Sequence, residues 1–149
     1  MSYASRRLLG LVALLPLVAV ACGGSSGDGG SAGTPTKPAN GCPTSAGLGK
    51  NVSDHGTEPA SGTAVSVTAG DFFFGPTCIT QTPSGTVTLK VENTGRALHN
   101  VSIPDQGIDK DVAPGETVTV DVTTGASTVG YFCKYHKGSG MVGALLPGT

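Results

Sequence analysis

The sequence predicts an all-β protein, a Greek-key β-sandwich or barrel. Three observations carry that expectation. Short β-branched runs alternate with period two, as strands with one buried face do: Ala64-Val65-Ser66-Val67-Thr68, Thr86-Val87-Thr88-Leu89-Lys90-Val91-Glu92 and Thr117-Val118-Thr119-Val120-Asp121-Val122. Turn signals punctuate the runs at Pro83-Ser84-Gly85, Asn93-Thr94-Gly95, Ala113-Pro114-Gly115 and Thr124-Gly125. No stretch repeats with helical period. Many short strands at this spacing imply an antiparallel sandwich or Greek-key barrel.

Taken in order, the chain opens with a segment that reads as an address. Arg6 and Arg7 precede an apolar run from Leu8 to Ala21, which is too short to span a bilayer and fits a signal-peptide core. It ends Val18-Ala19-Val20-Ala21-Cys22, small residues before a cysteine, resembling a bacterial lipobox. Residues 1–21 are therefore expected to be a lipoprotein signal peptide, with Cys22 lipidated and the chain anchored to a membrane of the bacterial envelope. Ordinary secretion is the alternative; lipidation is preferred because a free thiol on an exported chain is a liability. Residues 22–62 are rich in Gly, Ser, Ala, Thr and Pro and read as a flexible tether. His55 lies there without metal-ligand neighbours and reads as a solvated loop histidine.

The remaining residues, 63–149, suffice for one modest core. Besides the three runs above, strands are expected over Asn100–Ile103, Ser127–Cys133 and Val142–Leu146. Phe72, Phe73, Phe74 and Phe132 are the large apolar candidates. Three consecutive phenylalanines cannot share one face of a strand, so two of them are expected inside and one under a loop. Aromatic residues make up only 5% of the chain and Trp is absent, which excludes a large aromatic core. A net charge of −1 gives no electrostatic basis for nucleic-acid binding.

The chemistry concentrates in Tyr131-Phe132-Cys133-Lys134-Tyr135-His136-Lys137-Gly138-Ser139-Gly140-Met141, where the spacing is Cys-x2-His-x4-Met. Gly138 and Gly140 let the backbone turn tightly enough for these three side chains to converge. A second imidazole comes from His99, in Leu98-His99-Asn100-Val101. Two imidazoles, a thiolate and a weak axial thioether are the donors of a blue-copper electron-transfer centre. Zinc suits this set less well, because its ligands are Cys, His and carboxylates and not Met.

Cys133-x-x-His136-x-Gly138-x-Gly140-Met141-Val142-Gly143 resembles the copper loop of plastocyanins and pseudoazurins in the cupredoxin family, and His99-Asn100-Val101 resembles the other half of that site. The likeness covers the last third to half of the chain. Tyr135 and Leu98 stand where plastocyanins usually carry prolines. The resemblance implies the same β-sandwich class and one type 1 copper ion held by His99, Cys133, His136 and Met141. Asn100 is expected to tie the two ligand segments together by hydrogen bonds near the sulfur. By the same resemblance His136 is the ligand nearest solvent and the gateway for electrons.

Once Cys22 is assigned to lipid and Cys133 to copper, Cys42 and Cys78 remain, and an oxidising compartment allows them to pair. The expected function is a membrane-tethered carrier of single electrons between extracytoplasmic redox proteins, cytochromes or other carriers among them. It is not expected to be an enzyme, because four ligands fill one centre and no second His cluster exists. Copper storage or delivery is the alternative, although the extra Met or His clusters that would favour it are lacking. Asp105, Asp109 and Asp111 read as a solvated loop, or else as a surface that steers a basic partner. A monomer is expected.

Overall fold

Over residues 40–148, which the computed structural model of the chain describes, ten strands form. Six grow from the expected β-branched runs: β2 (Ala64–Gly70), β5 (Gly85–Asn93), β6 (His99–Ile103), β8 (Thr117–Thr124), β9 (Val129–Phe132) and β10 (Val142–Pro147). Four more lack a clean period in the sequence: β1 (Thr57–Pro59), β3 (Phe73–Gly75), β4 (Cys78–Thr82) and β7 (Ile108–Val112). β1 and β3 have three residues each, too few for a period to register. In β4 the alternation breaks where Gln81 takes φ 55. β7 reads Ile-Asp-Lys-Asp-Val and buries only Val112 fully.

The strands make two sheets, a six-stranded one in the order β1-β4-β10-β9-β6-β7 and a four-stranded one in the order β3-β2-β5-β8. β5 shows how the pattern becomes a layer: Val87, Leu89 and Val91 are buried, whereas Thr86, Lys90 and Glu92 are exposed. Its partner β8 runs antiparallel along its whole length, from Gly85 opposite Thr124 to Glu92 opposite Thr117. The inward residues of both sheets merge into one core that includes Val67, Leu89, Val101, Val112, Val122 and Leu145. Burying each such side chain contributes roughly 1.5–3 kcal/mol before chain entropy is set against it.

The sheets are not purely antiparallel as expected, since β1 with β4, β4 with β10, and β2 with β5 pair in parallel. The reason is connectivity. Consecutive strands such as β4 and β5 lie in different sheets, so these strands pair with neighbours from distant parts of the chain, whereas β2 with β3, β6 with β7 and β9 with β10 remain antiparallel neighbours.

Two further expectations are corrected. Of the three consecutive phenylalanines only Phe74 is fully buried, meeting Tyr131 edge-on with ring centroids 5.1 Å apart. Phe73 stacks on His55 at 3.6 Å, and Phe72 is exposed. A tight turn causes this, with Phe72 at φ 130 and its N–H donated to the Gly70 carbonyl at 3.0 Å.

The second correction concerns residues 40–62, read as part of the tether. They are packed onto the domain. A 3-10 turn spans Thr44–Ala46, and Ala46 joins Cys78, Ala144 and Leu146 in a small apolar cluster. Cys42 is disulfide-bonded to Cys78, with Cα atoms 5.3 Å apart. The Asp54 carboxylate accepts the main-chain N–H groups of Cys42 and Gly56. A cross-link and side-chain acceptors thus fix a segment whose Gly- and Ser-rich composition hides its order. The expected signal segment, the lipidated Cys22 and the tether up to residue 39 lie outside the described residues. Among the described residues no helix is long and apolar enough to cross a membrane.

Candidate metal centre

The two ligand segments sit at one end of the six-stranded sheet. His99 is the first residue of β6. Cys133 follows the last residue of β9, and Met141 immediately precedes β10. The intervening residues form a closed loop. Cys133 N–H donates to the Met141 carbonyl at 3.0 Å, and Met141 N–H donates to the His136 carbonyl at 3.2 Å. His136 N–H in turn donates to the Cys133 carbonyl at 3.1 Å. A 3-10 turn over Lys137–Ser139 ends at Gly140, whose φ is 87. A side chain there would strain the backbone, and a Cβ would stand 2.8 Å from the Ser53 nitrogen.

Folding brings His99, Cys133 and His136 together, with one donor atom of each lying within 4.8 Å of the others. The two Nδ1 atoms are 3.2 Å apart, and Cys133 Sγ is 3.5 Å from His136 Nδ1. Metal–ligand bonds of about 2.0 Å to nitrogen and about 2.3 Å to sulfur bridge separations of that size through one ion. Cys133, His99 and Met141 are fully buried, whereas His136 is only partly so. Met141 lies in the same apolar cluster as Cys133. His55 is not one of these converging donors; it is exposed and stacks on Phe73.

Asp71, in the turn between β2 and β3, carries no local signal in the sequence, yet it reaches the centre. Its Oδ1 lies 3.3 Å from His99 Nε2, on the ring edge opposite the donor atom. The same carboxylate accepts the N–H groups of Arg96 at 2.9 Å and Ala97 at 3.1 Å. Those main-chain donors hold the Asp71 carboxyl below its ordinary range. Burial pulls the His99 imidazole below its usual value, with Asp71 opposing. Buried Asn93 braces the 94–97 turn from within, donating to the carbonyls of Ala97 and Val112 and accepting the Gly95 N–H. Beside Asp71, the Phe72 ring covers His136, with centroids 4.6 Å apart.

Asn100 is fully buried, and the hydrogen bonds donated by its side chain go to carboxylates. Its Nδ2 donates to Asp109 at 2.7 Å and to Asp111 at 2.9 Å, while its Oδ1 accepts from the Ser102 hydroxyl and, at 3.5 Å, from the Lys134 N–H. Lys134 Nζ pairs with the same two aspartates at 2.8 and 3.1 Å, and the Tyr135 hydroxyl donates to Asp111 at 2.9 Å. Asp109 and Asp111 are therefore not a solvated loop. They occupy β7 and grip the two residues that follow Cys133. Asp105 lies apart from them, in a 3-10 turn over Pro104–Gln106.

A two-sheet sandwich that holds two imidazoles and a buried thiol at the end of one sheet defines a small metal-binding β protein. The chain belongs to the cupredoxin family: a family model described as a cupredoxin-like domain matches residues 49–146. Among solved structures, the chain resembles the metal-binding domain, with Cu(I), of the Cu(I)-exporting P-type ATPase CopA of Streptococcus pneumoniae D39. That likeness has a TM-score of 0.52 at 12% identity, over 62% of this chain and 96% of that one. Dithionite-reduced auracyanin of Roseiflexus castenholzii gives a TM-score of 0.49 at 19% identity, over 60% of this chain and all of the other, 100%. Amicyanin of Paracoccus versutus gives 0.46 at 20% identity, over 56% and 80%. Comparison with curated proteins gives no significant match.

Proposed function

We propose that this chain is a type 1 copper protein that carries single electrons between redox proteins outside the cytoplasm, as a monomer tethered through a lipid on Cys22. The observation that supports it most is the convergence of His99, Cys133 and His136 within 4.8 Å around a buried thiol. These three side chains would hold one copper ion, with Met141 as the weak fourth ligand. Copper supplies a one-electron couple there.

The chain's own residues supply the rest. Burial of Cys133, His99 and Met141 excludes water from all but one edge of the centre. The Asn100 network and the closed loop hold the donors in place, so little has to move when charge changes. His136 is the one partly exposed donor and thus the natural point of electron entry and exit. The exposed large apolar side chains of the described residues, Phe72, Leu98 and Tyr135, all lie next to His99 or His136. Such a patch suits brief contact with another redox protein. With its ligands all supplied by protein, the centre has no position for a substrate, and the chain is not an enzyme.

The test is a visible spectrum of the protein with one equivalent of copper. An intense absorption that ascorbate bleaches and oxidant restores is expected; a colourless adduct ends the proposal. Facile transfer of the metal to a chelator, with sluggish electrochemistry, would move the reading to copper delivery. Lipidation is checked by the mass of the mature N-terminus, and an unmodified Cys22 removes the tether.

A further inference from the structure

We propose that Asp71 is a positioning residue of the metal centre: its carboxylate fixes the His99 ring and biases bound copper toward the oxidised ion. The inference rests on the copper reading above and adds to it a determinant of the reduction potential.

Three observations carry it. The His99 ring is fully buried, with Nδ1 turned to His136 and Nε2 facing Asp71 Oδ1 at 3.3 Å. An anionic acceptor at Nε2 keeps the proton on that nitrogen and leaves the Nδ1 lone pair free for a metal. Asp71 is also fixed independently of His99. Its oxygens accept the N–H groups of Arg96 and Ala97 in three contacts of 2.9 to 3.1 Å, so the carboxylate is in place before any metal arrives. Finally, the space around the pair is reserved. A Cβ on Gly95 would stand 3.0 Å from His99 Nε2 and closer still to Asp71 Oδ1, so a larger residue there would separate them.

The consequence follows from charge. Cu(II) carries one more positive charge than Cu(I), so a fixed anion on the far side of a ligand ring stabilises the oxidised ion more. The side chain of Asp71 is 37% exposed, and solvent weakens that field without removing it.

The test compares wild type with Asp71→Asn, which removes the charge but keeps an oxygen to accept the Arg96 and Ala97 N–H groups. Cu(II) and Cu(I) affinities are measured by chelator competition, and the reduction potential by voltammetry. Loss of a ligand's hydrogen-bond partner costs about 10–100-fold in metal affinity. Here the loss should fall mainly on Cu(II), and each tenfold difference between the two ions raises the potential by about 59 mV. Asp71→Glu, which keeps the charge, should stay close to wild type. If Asp71→Asn does not fold, Asp71→Ser, whose hydroxyl still accepts a main-chain N–H, gives the same comparison. An unchanged potential, or equal losses for both ions, would show that Asp71 only braces the turn and overturns the inference. A wild-type protein that takes up no copper would instead overturn the copper reading itself.

Discussion

Gly140 carries two constraints at one atom. Its φ of 87 lies in the region that side chains avoid, and the Ser53 nitrogen occupies the place of a Cβ. Gly140→Ala should therefore destabilise the protein by about 2 kcal/mol, combining backbone strain of 1 kcal/mol or more with a displaced Ser53 hydrogen bond. A urea titration checks this, and a midpoint equal to wild type would mean that the loop can relax. At this scale the sequence was most informative where residue type dictates chemistry. His99, Cys133 and His136 were legible because thiol and imidazole donors at such spacing have few other uses, and the structure brings their atoms together. Asp71 was not legible. It meets His99 across 28 positions of sequence, and nothing about an Asp in a Gly-Asp-Phe turn distinguishes it from a solvated one. The exposure of Phe72 was not legible for a related reason, because its position above His136 depends on a turn whose backbone angles alternation does not encode.

At the scale of elements, β7 acts as a rail for the metal loop. Residues 109 and 111 project from it to the same side, two apart as on any strand. From there they bind Asn100 of β6 and Lys134 of the loop together. Lys134 and Asn100 hold both carboxyls below the ordinary range, and the two aspartates raise Lys134. Asn100 is buried together with Ser102, so Asn100→Ala leaves the Ser102 hydroxyl without its acceptor inside the protein, whereas water reaches the exposed aspartates. A loss of about 2 kcal/mol is expected from removing such a buried partner. Thermal melting of the metal-free protein measures it, and a loss within a few tenths would show the network to be incidental. β7 escaped sequence reading because its outward charges serve the loop beside it. Strand propensity reflects packing against neighbours, and those neighbours are set by the register of His99 with Val112, not by local composition.

For the whole molecule, the disulfide between Cys42 and Cys78 and the contacts of residues 51–53 form one device. Asn51 Nδ2 donates to the Gly138 carbonyl at 2.6 Å, and Ser53 N–H to the Gly140 carbonyl at 2.9 Å. The cross-link closes an interval of 36 residues, which restricts the unfolded chain by about 4 kcal/mol in the loop-entropy account. Replacing both cysteines by alanine should lower stability by about that amount and quicken copper loss to a chelator. Thermal melts with and without reductant provide a second check, and a reductant-insensitive melting point would contradict it. The two-sheet class was legible because alternation and turns report directly on sheets. The start of the folded body was not, since Gly- and Ser-rich composition says nothing of a bond made to a strand far away. One consequence concerns sulfur. Cys78 lies on β4 and Cys133 just past β9, with β10 between those strands. Two strand spacings make about 10 Å, beyond the roughly 7 Å that a cystine can bridge. The C-terminal strand is thus a partition: once it docks, oxidation can claim one pair of thiols while the third is kept for the metal. A chain oxidised before that docking has no such safeguard against scrambled, copper-less isomers.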